Sequence, residues 1–171
     1  MGRTVMAARS DRSRVVLGID PGTRVLGYAV VEARGGGSFR YVECGVVRPA
    51  RTELADRLLE IVRDVGEIIE TFGPTEMAIE RAYAGKNAQS ALKLGEARGA
   101  LVVAARSRGV EIFEYAPAAI KRAVAGNGRA TKAEIQERVS WLCGLASWPR
   151  ADAADAVAVA LCHVFGGRAA S

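Results

Sequence analysis

Four carboxylates stand where surface acids are not expected. Asp20 closes the apolar run of residues 15–20 just before Pro21-Gly22, and Glu80 closes the run Met77-Ala78-Ile79. A carboxylate at the end of a buried strand is costly unless it is paired or binds a metal. Two such acids, on neighbouring strands of one sheet, would point at the same edge. Gly18 and Gly22, on either side of Asp20, leave space for a ligand beside the backbone. Asp152 and Asp155 lie in Arg-Ala-Asp-Ala-Ala-Asp-Ala-Val. Their i, i+3 spacing puts both on one helix face, and their small, apolar neighbours predict that this face packs closely against something.

Each acid has a plainer account when taken alone. Asp20 could cap the turn at Pro21-Gly22, Glu80 could be a surface acid paired with Arg81, and Asp152 and Asp155 could balance a helix dipole. Together they suggest more. Hard cations such as Mg2+ take oxygen ligands. Two of them about 3.5–4 Å apart can hold both the attacking and the leaving oxygen of a phosphodiester, with Mn2+ as an alternative metal. Carboxylates converging from two strands and one helix can build such a site. The chain has one histidine, His163, so Ser/His/Asp chemistry is poorly supported. His163 lies two turns beyond Asp155 on the same helix face and reads as a packing residue, or one backing the ligands, rather than a ligand.

The elements that must carry these acids are legible in the apolar periodicity. Residues 15–20, 25–32 and 39–47 read as three strands in succession, an antiparallel meander. The period then changes. Leu54, Leu58, Ile61, Val65, Ile68 and Phe72 recur at helical steps beneath an acidic outer face, and Gly73-Pro74 ends that helix. A strand over 75–80, a polar loop, a long helix over about 87–108 and a strand over 110–115 follow. Pro117 suits the first turn of a short helix, Gly126-Asn127-Gly128 reads as a flexible loop, and Thr131 with Glu134 forms a capping box. A last helix runs over about 151–165. The order βββαβαβααα predicts an α/β chain with one five-stranded mixed sheet flanked by helices.

Charge narrows the partner class. The 171 residues carry a net +5, and residues 1–14 read as a flexible basic tail ahead of one domain over 15–171. Residues 52–72 hold six acids and two arginines, net −4, whereas residues 81–108 hold six basic residues and Glu96, net +5. Lys121, Arg122, Arg129 and Lys132 follow with no acid among residues 117–132. One basic and one acidic face are expected, and the basic one leans toward an anionic partner. Cys44, Cys143 and Cys162 are odd in number and far apart, without CxxC, which suits a reducing cytoplasm better than a disulfide framework or a zinc site. No apolar run approaches the roughly 20 residues of a membrane span.

The motifs also carry a resemblance. Gly-Ile-Asp20-Pro-Gly-Thr-Arg-Val-Leu-Gly-Tyr, Ala-Ile-Glu80-Arg-Ala-Tyr, the stretch from Lys86 to Gly99 and Ala-Asp152-Ala-Ala-Asp155-Ala are similar to the bacterial Holliday-junction resolvase family RuvC, over about residues 15–163. The resemblance implies an RNase H-like fold, a homodimer, and a divalent-metal site on Asp20, Glu80, Asp152 and Asp155. It also implies paired nicking of two like-polarity strands at a four-way junction, with the RuvA–RuvB branch-migration complex as partner. It assigns Lys86, Lys121 and Lys132 to DNA, and Tyr83, where the family typically has Phe, to stacking on bases at the opened junction. Ala88, Ala91, Gly95 and Gly99 form a small-residue stripe on the long helix. It reads either as packing on the sheet or, as the resemblance favours, as a dimer interface.

A different class competes. Gly-Ile-Asp-x-Gly-Thr also resembles the phosphate loop of actin-like ATPases and sugar kinases, but 171 residues are too few for their second lobe, and they give no reason for the Asp152/Asp155 pair. A non-catalytic junction-binding protein would have no use for all four acids.

Overall fold

The computed structural model describes residues 14–34, 36–81 and 87–166. Tyr83 and Lys86 lie outside them, as do residues 1–13. The elements run β1 (Arg14–Asp20), β2 (Leu26–Ala33), β3 (Phe39–Val47), α1 (Leu54–Phe72), β4 (Glu76–Glu80), α2 (Ala88–Arg106), β5 (Glu111–Tyr115), α3 (Pro117–Ala125), α4 (Lys132–Cys143) and α5 (Ala151–Gly166). Arg14, expected within the tail, instead opens β1.

The sheet order is β3-β2-β1-β4-β5. The first three strands form the antiparallel meander, and β4 and β5 add parallel to β1. Parallel neighbours need crossover connections, and α1 and α2 supply them. Strand alternation divides the core. Leu17, Ile19, Met77 and Ile79 face α1 and α2, while Val16, Ala29 and Ala78 face α5. On α1 the buried line is Ile61, Val65 and Ile69, with Ile68 only half-buried. Steps of exactly four tilt the line off the expected stripe. Gly73, at φ 58°, ends the helix with its N–H on the Ile69 carbonyl.

Helix α5 is buried almost all round: every residue from Ala156 to Val164 is covered. It lies between the sheet and α3 and α4. Its alanines let it approach the strands at backbone distance, and this corrects one expectation. The space at Gly18 is not open to a ligand, because a methyl there would overlap the Ala156 carbonyl and Ala160 of α5. At Gly22 it would overlap the Val25 carbonyl of the same turn.

The α4 start is the expected capping box, with Thr131 Oγ1 accepting from Glu134 N and the Glu134 carboxylate accepting from Thr131 N. Gly126-Asn127-Gly128, expected as a flexible loop, is a built turn. Gly126 caps α3 at φ 80°, and Asn127 Oδ1 accepts from Arg129 N. Among the described residues no helix is long and apolar enough to cross a membrane.

Candidate active site

Strand register determines where the first two acids end. Ile19 of β1 pairs in parallel with Ile79 of β4, so Asp20 and Glu80, the next residues, emerge side by side at one edge of the sheet. The third and fourth acids reach the same edge through a glycine. Asp20 pairs with Gly27 of β2, and the Asp152 backbone lies directly on Gly27, where a Cβ would overlap it. The first turn of α5 is therefore seated over the strand beside Asp20, and Asp155 follows one turn later. The glycine at 27 had no visible role in the sequence. Only the packing of two segments 125 residues apart reveals it.

The electrostatics record the convergence. Burial, then the charges of Asp155 and Glu80 and, more weakly, Asp152, push the Asp20 carboxyl up to about 7. Glu80 is raised by burial and by Asp155. Two lysines oppose this. Lys132, at the start of α4, donates from Nζ to Asp155 Oδ2 at 3.0 Å, which raises its own pKa, and its charge lowers those of Asp20 and Glu80. Lys121 of α3 also acts to lower that of Glu80. Both lysines singled out from the basic segment thus belong to the surroundings of the acids.

The plainer accounts of the acids fare unevenly. Arg81 does not pair with Glu80. Its guanidinium lies 3.7 Å from Glu114 of β5, which also pairs with Arg98 of α2. Asp152 does sit in the first turn of α5, where a helix dipole favours it. Asp155 is held by Lys132. As the side chains stand, no group of three or more His, Cys, Asp or Glu among the described residues closes around a metal ion. The donor set is nevertheless all hard oxygen, as Mg2+ prefers. Burial first and the neighbouring acids second suppress the ionisation of Asp20, and a cation would offset both.

His163 is not at this cluster. It is fully buried among α5, β4 and β5, with Nε2 donating to Glu76 Oε2 at 2.8 Å and Nδ1 sharing a hydrogen bond with the Tyr115 hydroxyl at 2.6 Å. Glu76 also accepts from Arg14 at 2.8 Å. Burial acts to raise the Glu76 carboxyl, but the hydrogen bonds from His163 and Arg14 bring it below its ordinary value. The packing account of His163 is the one its contacts support. Through Glu76 and Arg14 it ties the far end of α5 to the first residues of β4 and β1, whose opposite ends carry Glu80 and Asp20.

On α2, Ala88, Gly95 and Gly99 are exposed and Ala91 is half-buried. A Cβ at Gly95 or Gly99 would meet nothing within 4 Å, so packing on the sheet does not explain the stripe. Leu92 and Val103, 65% and 69% exposed, widen it into an apolar face.

Comparison with known proteins gives one answer. Residues 16–163 match the family model described as crossover junction endodeoxyribonuclease RuvC. A protein of that name from Chromohalobacter salexigens is 48% identical over 151 residues, 88% of this chain and 81% of the relative. The structure of T. thermophilus RuvC in complex with Holliday junction substrate superposes with a TM-score of 0.84 at 37% identity, covering 91% of this chain and 95% of that one. The yeast mitochondrial Holliday junction resolvase Ydc2, 15% identical, shares the fold at a TM-score of 0.65 over 90% of this chain and 80% of its own. The fold is RNase H-like, and the chain belongs to the crossover junction endodeoxyribonuclease RuvC family.

Proposed function

We propose that this chain resolves four-way DNA junctions by symmetric nicks in two strands of like polarity, in recombination and repair, with Asp20, Glu80, Asp152 and Asp155 holding divalent metal. The observation that carries the reading is the meeting of four carboxylates from β1, β4 and α5 at one sheet edge, with Asp20 pushed to about 7. Mg2+, two ions per site, is the metal we assign, with Mn2+ as a substitute. Such ions supply an activated water and charge neutralisation at the phosphodiester. The protein's part is to align the four acids and to place Lys121 and Lys132 where a phosphate's charge would lie. Tyr83 and Lys86, three and six residues on from Glu80 in the chain, are assigned to the junction's opened bases and backbone. Two copies are needed for two nicks, and the α2 face with Ala88, Ala91, Gly95 and Gly99 suits a homodimer interface. RuvA–RuvB is the partner complex we assign, and the cytoplasm the compartment.

The direct test is a synthetic four-way junction incubated with the protein, with and without Mg2+. Paired, metal-dependent nicks are expected. Binding without nicks would leave a junction scaffold, and ATP turnover would revive the kinase-like alternative.

Two further outcomes are expected. Lys132→Ala should lower the cleavage rate more than junction affinity, because Lys132 touches Asp155 within the acid cluster. A lysine that contacts only a phosphate should instead weaken binding and flatten its salt dependence by about one unit of slope. If neither Lys121→Ala nor Lys132→Ala changes rate or binding, the basic segment is merely a solvated face. Leu92→Glu, on an exposed helix face, should leave the fold intact and shift light scattering from dimer to monomer. A wild-type protein that is monomeric at micromolar concentration and still makes paired nicks would defeat the dimer.

A further inference from the structure

Trp148 is 58% exposed, although large aromatic side chains are usually well covered. Its place in the fold is what makes it informative. Residues 144–150 lead from the end of α4 back to the start of α5. The next residue, Pro149, gives its carbonyl to Gln136 Nε2 at 2.9 Å, and Gln136 lies one turn along α4 from Lys132. Lys132 in turn holds Asp155. Trp148 is thus pinned at the acid end of the molecule, four residues before Asp152. Exposed Arg150 stands between them. The chain's other tryptophan, Trp141, is 70% exposed but lies nine residues along α4 from Lys132, roughly 13 Å away at the rise of a helix. Its ring is already covered by the Arg138 guanidinium, 4.9 Å from the centroid.

We infer that Trp148 is a DNA-contacting residue of the site, its ring lying against a base or deoxyribose of the strand that runs over Asp152, with Arg150 on the adjoining phosphate. The inference rests on the junction-nuclease reading above and extends it to residues that no motif singled out. Three features argue for this occupant. Residues 148–150 immediately precede the first turn of α5 that carries Asp152, so they form a rim beside the acids where a bound strand can lie. Arg150 on that rim, with Lys132 and Lys121 around the acids, suits a polyanion. An exposed aromatic beside a basic groove is how single strands are gripped without sequence preference. The face is also separate from the α2 stripe, which lies across the sheet, so a second copy of the chain seated there does not cover it.

The two tryptophans allow a direct readout. Trp141→Phe leaves Trp148 as the sole indole, and Trp148→Phe leaves Trp141. Both proteins are titrated with a four-way junction in Ca2+ or EDTA, to hold cleavage off, while a gel shift reports binding independently. The emission of the Trp148-only protein should change in step with binding, and that of the Trp141-only protein should not. Trp148→Ala should weaken junction binding by roughly 5- to 150-fold, the range of single aromatic–base contacts. Trp148→Phe should restore most of that binding. A protein that binds and nicks junctions normally, but whose Trp148 emission is unmoved and whose Ala variant binds like wild type, overturns the inference and leaves the nuclease reading intact. Emission that depends on protein concentration without DNA assigns Trp148 to a protein contact and also overturns it. Failure to bind or nick any junction removes the nuclease reading and the inference together.

Discussion

Asp20→Asn should abolish junction cleavage while making the metal-free protein more stable at pH 8. Both effects come from one source. Burial, Asp155 and Glu80 together hold the Asp20 carboxyl near 7, so above neutrality the folded protein carries a charge it would rather not carry. A carboxylate whose pKa is higher folded than unfolded takes its proton more readily in the folded state. Its contribution to stability is complete below about pH 4 and is lost as pH rises through about 7. Asparagine has no proton to lose and keeps nearly the same shape. The variant should therefore melt above wild type in EDTA at pH 8, by about 1–3 kcal/mol after allowance for partial solvent exposure. The gap should close toward pH 4. Added Mg2+ should raise the melting temperature of the wild type and scarcely move that of the variant. Cleavage should fall on the order of a thousandfold or more, the scale of several kcal/mol of lost transition-state charge stabilisation, while junction binding survives on the basic residues. A variant that nicks near the wild-type rate, or one that melts below wild type at pH 8, would show that Asp20 is an ordinary turn cap.

This opposition between stability and chemistry recurs around the acids and has a structural remedy. Lys132 sits on Asp155 and lowers the ionisation cost of Asp20 and Glu80. The cluster is thus partly neutralised by the protein itself, and a cation entering it competes with an ammonium group rather than meeting four bare charges. At the other end of α5 the arrangement is reversed. Glu76, His163 and Tyr115 satisfy one another inside the core, half-buried Arg14 closes on Glu76 from the rim, and Glu76 is held below its ordinary value. A fully connected buried network resists sliding, since moving the helix would strand at least one of its members without a partner. The helix is thus fixed at its C-terminal end by complementary polar groups, which leaves strained charge to its N-terminal end.

What the sequence revealed, and what it hid, follows from range. The order of ten elements was legible because each depends on local periodicity and punctuation: the alternation through β1 to β3, Gly73 after α1, Thr131 and Glu134 at α4. The four acids drew notice for local reasons, Asp20 and Glu80 as strand ends and Asp152 with Asp155 by their i, i+3 spacing. Residues that act across the fold left no local mark. Glu76 looked like any residue of the strand over 75–80, and its partner His163 is 87 positions away. Gly27 looked like any glycine in a strand, and Gly18 was assigned to ligand space because α5 could not be placed over it. On α1, choosing between Ile68 and Ile69 needed the angle at which the helix crosses the sheet, which no period supplies.

Gly27 therefore offers the sharpest test of how the site is assembled. The Asp152 carbonyl and the peptide that follows it rest where a Cβ at position 27 would be. Those are backbone atoms of a helix and cannot swing aside as a side-chain tip would. Gly27→Ala must lift the first turn of α5 or push β2 away from it, and β2 is held on both sides by β1 and β3. The helix end is the freer of the two, so the strain should move Asp152 and Asp155 away from Asp20. Overpacking of one methyl group typically costs about 1–3 kcal/mol of stability, which leaves a folded protein to assay. A displacement near 1 Å in a site that must align a phosphodiester costs about a hundredfold in rate. Gly27→Ala should thus bind junctions with near wild-type affinity, lose cleavage on the order of a hundredfold, and need more Mg2+ for half-maximal rate. It should also lower the Asp20 pKa, since Asp155 and Asp152 help to raise it. A melting temperature reduced in step with the activity, with an unchanged Mg2+ requirement and an unshifted Asp20, would mean that the methyl merely loosens the fold. Wild-type cleavage would mean that α5 is placed by its far end alone, through His163 and Glu76, and that the contact at Gly27 carries no positional information.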